Sequence, residues 1–388
     1  MRPRLIEFGF APRLAALYAA MFVMTGIQLP FFPVWLKAKG LDARTIGLVL
    51  AVPMVVRVFA IPVASRAADR RDALRLSIII AAGASVVGYL LVALAQGPFP
   101  ILFTYALASL AFTPVMPLTE TYALRGLSLR GKAYGPVRLW GSAAFIAGSF
   151  VAGFATDLMP ARNLIWLIVA ATSVMAIATL ALEPLSPKAV PQAPAEKAPK
   201  PLLRDAAFLA VVAAASLIQA SHAVYYGFSA LAWRGEGLDG STVAALWALG
   251  VIAEIVLFAV SARLPPFLTP TMLVIVGGAG AALRWGVMAF NPPLAALPWL
   301  QLLHALSFGS TYLGALNFVA RTAGPGQAAT AQGYLAIAMG AAMAGAMGLS
   351  GVLYAAFGAL AYAAMALTAI VGGACAFVAD QLGRRASR

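Results

Sequence analysis

Seven ionisable side chains stand inside stretches of sequence that are otherwise apolar. They are Arg57, Glu120, Arg138, Glu254, Arg284, His222 and His304. A charged group in the middle of a membrane helix costs about 2.5 to 3.5 kcal/mol on insertion scales, so such groups are rarely kept for packing alone. Each of these residues is therefore a candidate for a function.

Three of the ionisable residues occur at comparable depths on consecutive apolar segments, namely Glu254, Arg284 and His304. A carboxyl group in a low-dielectric cavity favours its protonated form, whereas a neighbouring guanidinium favours the ionised form. A glutamate that approaches and leaves an arginine therefore takes up and releases a proton. The pattern predicts a proton-exchanging cluster of these three residues and His222. The alternative is a static buried salt bridge, with His304 as a hydrogen-bonded core histidine.

A second set of residues is predicted to bind a substrate. Glu120 follows two prolines that open the helix backbone, and Arg138 begins the next apolar stretch, so the two side chains can pair across neighbouring helices. Arg57 stands twelve residues before Asp69, which is about 18 Å along a helix. A charge at that depth requires an acidic partner or a water-filled cavity. For Arg138 the alternative is an interfacial arginine whose charged end reaches the membrane surface.

Aromatic side chains near these charges can line a pocket for an apolar or aromatic ligand. Trp140 lies close to Arg138, and Tyr225 and Tyr226 follow His222. We assign all three to the predicted substrate site, together with Glu120 and Arg138. The alternative for each is ordinary packing between helices.

The elements that must position these residues are membrane helices. Hydrophobic residues make up 62% of the 388 residues and charged residues 10%, which excludes a water-soluble surface. Apolar stretches long enough to cross a bilayer recur along the chain. The predicted spans are Leu14–Leu36, Ile46–Ser65, Leu76–Ala95, Ile101–Leu124, Val137–Thr156, Leu164–Leu182, Asp205–Trp233, Thr242–Arg263, Leu268–Phe290, Leu297–Ala320, Ala328–Phe357 and Gly358–Ala379.

The twelve spans form two groups of six, so we predict an all-α membrane protein with two six-helix bundles. The first bundle covers residues 1–183 and the second covers 205–388. Residues 184–204 between them contain six prolines and mixed charge, a composition typical of an extended linker. Two halves joined in this way are typical of transporters whose substrate site lies near the membrane midplane.

Basic residues set the expected orientation. If both termini and the linker are cytoplasmic, most of the 27 lysines and arginines lie on the inner side. Only Lys37, Lys39, Arg44, Arg162 and Arg234 then lie outside. The formal charge of +14 is explained by this topology, so we expect the lipid bilayer as a partner and no nucleic acid.

Several function classes lack their required residues. The sequence has no G-x-x-x-x-G-K-[ST] phosphate loop and no H-E-x-x-H pair. One cysteine, Cys375, and two histidines on separate helices do not supply a metal site. We therefore expect no enzyme, no cofactor and no metal, and secondary transport is the simplest remaining class.

The segment Ser65–Arg75, SRAADRRDALR, resembles the loop motif of the major facilitator superfamily. Its Asp-Arg core remains at Asp69 and Arg70, whereas Ser65 and Asp72 replace the glycines at the two ends of the motif. The segments Gln219–Trp233, Leu246–Ser261, Ala282–Phe290 and Leu300–Gly309 resemble the 3-phenylpropionic acid permease group, which is related to lactose permease.

The resemblance implies the major facilitator fold and specific roles for single residues. Glu120 and Arg138 match the sugar-binding carboxylate and arginine of the lactose permease family, and Glu254, Arg284 and His304 match its coupling cluster. The separate proton-carrying glutamate of that family corresponds here to Ser307. The resemblance thus implies a proton symporter that imports a small organic acid such as a phenylpropionate, with coupling through Glu254 or Glu120.

Three other functions remain open at this point. They are a proton-coupled sugar or nucleoside symporter, an antiporter that exports hydrophobic compounds, and a membrane sensor or scaffold that transports nothing. In each transporter reading, the partners are a small-molecule substrate and protons. We expect a multi-pass monomer in the bacterial inner membrane, with both termini in the cytoplasm.

Overall fold

A computed structural model describes residues 9–185, 202–324 and 327–386, and all regular structure in those ranges is helical. The predicted linker lies almost entirely outside the described residues. The α-helices are α1 Phe10–Ala38, α2 Ala43–Arg70, α3 Leu74–Leu94, α4 Pro98–Phe112, α5 Val115–Ser128, α6 Tyr134–Leu158, α7 Leu164–Leu180, α8 Ala206–Ala220, α9 Ala223–Gly235, α10 Gly240–Val260, α11 Pro270–Met288, α12 Leu297–Leu302, α13 Thr311–Thr322, α14 Ala328–Phe357 and α15 Ala361–Ala386.

Three of the predicted spans are each broken into two helices, which corrects the expectation of continuous helices there. Pro114 separates α4 from α5, because proline has no backbone N–H to continue the helical ladder. His222 separates α8 from α9, and its side chain lies at the last carbonyl groups of α8. A π-helical turn, Ala305–Ser310, separates α12 from α13. Such turns often occur at functional sites.

Within the residues that the structure describes, ten helical stretches are long and apolar enough to cross a membrane. The last of them, Thr330–Arg385, contains both α14 and α15. The segment from α12 through α13 lacks a continuous long helix because of its π-helical turn. Counting α14 and α15 separately and adding that interrupted segment accounts for all twelve predicted spans.

The chain divides into two compact units. The first unit contains Met1–Leu41, Val55–Val190 and Trp233–Ala245, and the second contains Asp42–Met54, Pro191–Ala232 and Leu246–Arg388. Two helices are shared between the units: the first part of α2 belongs to the second unit, and the first part of α10 belongs to the first. The predicted boundaries at residues 183 and 205 stay a prediction.

Glycines bring α1 and α6 of the first unit into backbone contact. A Cβ atom on Gly26 would meet the carbonyl oxygen of Phe145, and one on Gly148 would meet the carbonyl oxygen of Val23. Ser149 donates a hydrogen bond to the Gly26 carbonyl at 3.0 Å. Small residues allow this approach of membrane helices, which van der Waals contact then stabilises.

The loop between α2 and α3 keeps the backbone shape that the glycine of the motif would supply. Asp72 has φ +42, in the left-handed region, and aspartate is one of the few residues that tolerate it. Its carboxylate accepts a hydrogen bond from Arg125 at 3.2 Å. The replacement of glycine at this position therefore preserves the turn and adds an ion pair to α5.

Candidate functional site

The second unit brings together six polar side chains, which we call the second-unit cluster. They are His222, Glu254, Arg284, Gln301, His304 and Ser307. They come from the α8–α9 break, α10, α11, α12, the short link after α12 that holds His304, and the π-helical turn. The structure thus unites all four residues predicted for proton coupling.

Arg284 lies at the centre of the second-unit cluster and is completely buried. Its Nη1 donates to Nδ1 of His304 at 3.0 Å and to the hydroxyl of Ser307 at 3.4 Å, and its Nη2 donates to Oε1 of Gln301 at 2.6 Å. Its guanidinium carbon lies 4.5 Å from the ring centres of both Tyr225 and Trp285. Aromatic faces stabilise a cation at this distance.

Hydrogen bonding fixes the tautomer of His304. A guanidinium only donates, so Nδ1 of His304 is an acceptor and its ring proton sits on Nε2. That Nε2 lies 3.7 Å from the carboxylate of Glu254, slightly beyond hydrogen-bond length. A guanidinium, an imidazole and a carboxylate are thus linked by contacts of 3.0 and 3.7 Å, and the carboxylate contact is made by the nitrogen that carries the ring proton.

His222 is in the opposite tautomer to His304. Its Nδ1 lies 3.1 Å from the carbonyl of Ile218, which only accepts, so Nδ1 carries the proton. Its Nε2 then accepts from the hydroxyl of Ser307 at 3.2 Å. Ser307 in turn accepts from Arg284. A series of hydrogen bonds therefore runs from the guanidinium of Arg284 to the hydroxyl of Ser307, from that hydroxyl to Nε2 of His222, and from Nδ1 of His222 to the carbonyl of Ile218 near the end of α8.

Four aromatic rings, Tyr225, Tyr226, Trp247 and Trp285, form what we call the aromatic wall beside the second-unit cluster. Tyr225 stacks on Trp247 with ring centres 4.6 Å apart, and it lies 5.7 Å from both Tyr226 and Trp285. The hydroxyl of Tyr225 donates to Gln301 Oε1 at 2.9 Å. The wall encloses Arg284 in an apolar surrounding, in which electrostatic interactions are strong.

The first unit holds a smaller set, the first-unit cluster, of Tyr18, Phe22, Glu120, Tyr134 and Arg138. The hydroxyl of Tyr134 lies 3.5 Å from the carboxylate of Glu120 and 3.4 Å from the hydroxyl of Tyr18. The guanidinium of Arg138 lies 4.2 Å from the ring centre of Phe22. Glu120 and Arg138 interact electrostatically, although no ion pair joins them within 4.0 Å in the described structure.

Two residues predicted for the substrate site are exposed. The side chain of Trp140 is 61% exposed, and that of Arg57 is exposed as well. Tyr225 and Tyr226, by contrast, belong to the aromatic wall. The substrate roles of all these residues stay predictions.

Several members of the two clusters were not predicted from the sequence. Gln301 is fully buried and binds both Arg284 and Tyr225, and its amide in an apolar segment three residues before His304 was the available signal. Tyr18 and Tyr134 carried no comparable signal, because tyrosine is common in apolar helices. In the described residues no group of histidine, cysteine, aspartate and glutamate has the arrangement of a metal site.

Residues 12–384 match the model of the MFS_1 like family, which covers nearly the whole chain. The chain belongs to this family. The "Probable 3-phenylpropionic acid transporter" of Escherichia coli (strain K12) is 33% identical over 379 residues, 92% of this chain and 94% of that protein. The maltose permease of Geobacillus stearothermophilus is 25% identical over 311 residues, 79% of this chain and 78% of that one.

Solved structures of transporters share the fold of this family member. The nucleoside transporter NupG superposes with a TM-score of 0.79 at 18% identity, covering 97% of this chain and 99% of that chain. A bacterial homologue of the human lysosomal transporter Spinster, in an inward-facing and occupied conformation, gives 0.74 at 15% identity, with 96% of each chain covered. The predicted all-α major facilitator fold is confirmed, and the protein is a multi-pass membrane transporter.

Proposed function

We propose that this transporter is a proton-coupled symporter that imports a small aromatic carboxylate, such as a 3-phenylpropionate, into the bacterial cytoplasm. The proposal depends on the row of Arg284, His304 and Glu254, joined by distances of 3.0 and 3.7 Å. A carboxylate linked through an imidazole to a buried guanidinium has two stable charge states, ionised near the cation and protonated away from it. Both termini lie in the cytoplasm in this scheme.

Proton coupling has an electrical reason for an anionic substrate. A monocarboxylate that enters alone moves against an inside-negative potential, at a cost of about 2.3 kcal/mol per charge per 100 mV. One co-transported proton cancels that charge. The half-buried Glu254 is the group in the second unit that accepts it.

The substrate class is supported by the relative that is 33% identical and whose name refers to 3-phenylpropionic acid. The aromatic wall supplies ring surfaces on which a phenyl group packs. We assign Glu120, Arg138, Trp140 and Arg57 to substrate binding, with Tyr225 and Tyr226, as the sequence predicts. Glu254, Arg284, His304 and His222 are assigned to coupling.

A neutral sugar is the second candidate substrate. The maltose permease relative favours it, and the first-unit cluster offers a carboxylate and two tyrosine hydroxyls that suit sugar hydroxyls. The two candidates differ in charge, so transport assays separate them.

Uptake by proteoliposomes tests the proposal. Vesicles containing the purified protein are given labelled 3-phenylpropionate, maltose or a nucleoside, each with and without an inward proton gradient. We expect gradient-dependent accumulation of 3-phenylpropionate alone. Accumulation of maltose or of the nucleoside would contradict an aromatic carboxylate as the substrate. Accumulation of 3-phenylpropionate without a proton gradient would contradict proton coupling.

A further inference from the structure

Arg284 is a fully buried cation without a carboxylate at ion-pair distance in the described ranges of the chain. Its hydrogen-bond acceptors are His304, Ser307 and Gln301, which are all uncharged in the tautomers described above. Glu254 is connected to it through His304. Burial of a charge is costly unless an opposite charge compensates it, so the guanidinium attracts an anion.

Part of the hydrogen-bonding capacity around Arg284 is unused, and three of the unused groups are donors. Nε of Arg284, Nε2 of Gln301 and Nε1 of Trp247 are buried and have no hydrogen-bond acceptor. The amide orientation of Gln301 is fixed, because its Oε1 accepts from both Arg284 and Tyr225. A buried donor without an acceptor costs about 1 to 3 kcal/mol. Three such donors call for a ligand that supplies several acceptors.

The three donors belong to side chains that contact one another in sequence. Gln301 is hydrogen bonded to Arg284, Arg284 lies on the ring of Tyr225, and Tyr225 stacks on Trp247. The surroundings are therefore cationic, donor-rich and aromatic. A carboxylate attached to an aryl group matches all three properties, because its oxygens accept several hydrogen bonds and its ring packs on aromatic faces.

We infer that Arg284, with Gln301 and Trp247, binds the carboxylate of the substrate inside the second unit, and that this anion competes with ionised Glu254 for the single positive charge of the second-unit cluster. The inference rests on the proposed function, because it specifies where an imported carboxylate binds. It assigns to Arg284 a substrate role in addition to its predicted coupling role.

Charge neutrality then sets the coupling. Without substrate, ionised Glu254 balances Arg284, and both histidines are neutral. With a bound carboxylate, the cluster would carry one negative charge, so Glu254 takes up one proton from water. Binding of the acid and uptake of the proton favour each other by equal amounts. The predicted ratio is one proton for each carboxylate.

The groups that face Glu254 are compatible with this exchange. His304, the residue before the π-helical turn, presents its Nε2–H, and Tyr226 of α9 interacts with Glu254 electrostatically. Arg284 of α11 and His222 of the α8–α9 break face His304, with the two imidazole ring centres 5.6 Å apart. Arg284 is the group in this set that carries a permanent positive charge.

Arg138 is the competing anion site, and its surroundings differ. Glu120 lies in the same cluster and compensates its charge electrostatically. Arg138 is also only half-buried, so water reaches it. The two arginines therefore differ in the property that the experiment measures, which is preference for an acid over its neutral amide.

Proton uptake on binding tests the inference. Purified full-length protein in weakly buffered detergent solution is titrated with 3-phenylpropionate or 3-phenylpropionamide, while calorimetry gives affinity and a pH-sensitive dye gives proton uptake. We expect about one proton per bound acid, none for the amide, and binding of the acid by Glu254→Gln without proton uptake. Arg284→Gln should weaken acid binding at least about tenfold and remove the preference for the acid.

A second variant tests the inference independently, in case Arg284→Gln does not fold. Gln301→Glu is nearly isosteric and places a permanent carboxylate on Arg284, so it should abolish acid binding in a folded protein. Arg138→Gln should keep both the acid preference and the proton uptake, even where affinity falls. If acid binding survives in both Gln301→Glu and Arg284→Gln, the inference is overturned but the proposed function is not. Failure of the wild-type protein to bind the acid or to transport it would overturn the proposed function as well.

Discussion

Removal of the Ser307 hydroxyl tests whether directed hydrogen bonds hold the second-unit cluster. Ser307 and His222 are both fully buried, and the hydroxyl is the group that donates to Nε2 of His222. In Ser307→Ala that nitrogen becomes a buried acceptor without a donor. The expected loss in free energy of unfolding is therefore about 1 to 3 kcal/mol.

Ser310→Ala is the matched control in the same π-helical turn. Ser310 is equally buried, but its hydroxyl donates to the backbone carbonyls of Leu273 and Leu306. Those carbonyls lie in helical segments with backbone donors nearby, so we expect a loss below about 1 kcal/mol. Unfolding equilibria in mixed detergent micelles measure both variants.

The double variant Ser307→Ala/His222→Phe removes donor and acceptor together. Its loss in free energy should be smaller than the sum of the single losses by about 1 kcal/mol, because the unsatisfied nitrogen is gone. Equal losses for Ser307→Ala and Ser310→Ala, with additive behaviour of the double variant, would refute the hydrogen-bond chain.

Three further predictions concern the fold. Gly148→Leu should prevent folding, because the new side chain would meet the backbone of α1. Gly83→Leu should fold, because no atom lies within 4 Å of a Cβ at that position. The yields of monodisperse protein from the two variants test this difference. Asp72→Val should lower the midpoint of thermal unfolding further than Asp72→Gly does, because both lose the ion pair with Arg125 but φ +42 suits glycine and not a β-branched residue. Hydrogen bonds from the backbone N–H of Thr242 and from the side chains of Ser241 and Thr242 lower the pKa of Asp239. Asp239 thus stabilises the folded state fully at a pH above the ordinary pKa of an aspartate. This stabilisation is lost as the pH falls through the lowered pKa of the folded protein. The unfolding midpoint of Asp239→Ala should accordingly lie below that of the wild type at pH 7 and converge with it as the pH falls below the lowered pKa of Asp239.

The sequence predicted the helices and the charged members of the site, for one physical reason. Ionisable groups are rare in membrane helices, so Glu254, Arg284 and His304 stood out, and comparable depth on consecutive helices brought them together. Of the three helix breaks, only the one at Pro114 had a signal in the sequence, because proline opens the helix backbone. The break at His222 and the π-helical turn depend on side chains that satisfy backbone groups in three dimensions, which apolar periodicity does not reveal.

Neutral polar members of the site, such as Gln301, were not predicted, although its amide stands in an apolar segment. Gln301 became visible as an anchor of Arg284 only when α11 and α12 were packed together. The pairing of Glu120 with Arg138 was expected from adjacent helices, but the guanidinium instead lies on the ring of Phe22. Depth along a helix is readable from sequence, whereas the rotation of a helix about its axis is set by packing.

Uphill uptake by Glu254→Gln proteoliposomes tests the central claim of proton coupling most directly. The amide resembles the protonated carboxyl group but does not release a proton, so exchange of labelled for unlabelled 3-phenylpropionate should continue. Accumulation driven by a pH gradient should be lost. Glu236→Gln, which removes an exposed acid after α9, is the matched control and should accumulate substrate as the wild type does. Gradient-driven accumulation by Glu254→Gln equal to that of the control would contradict the account.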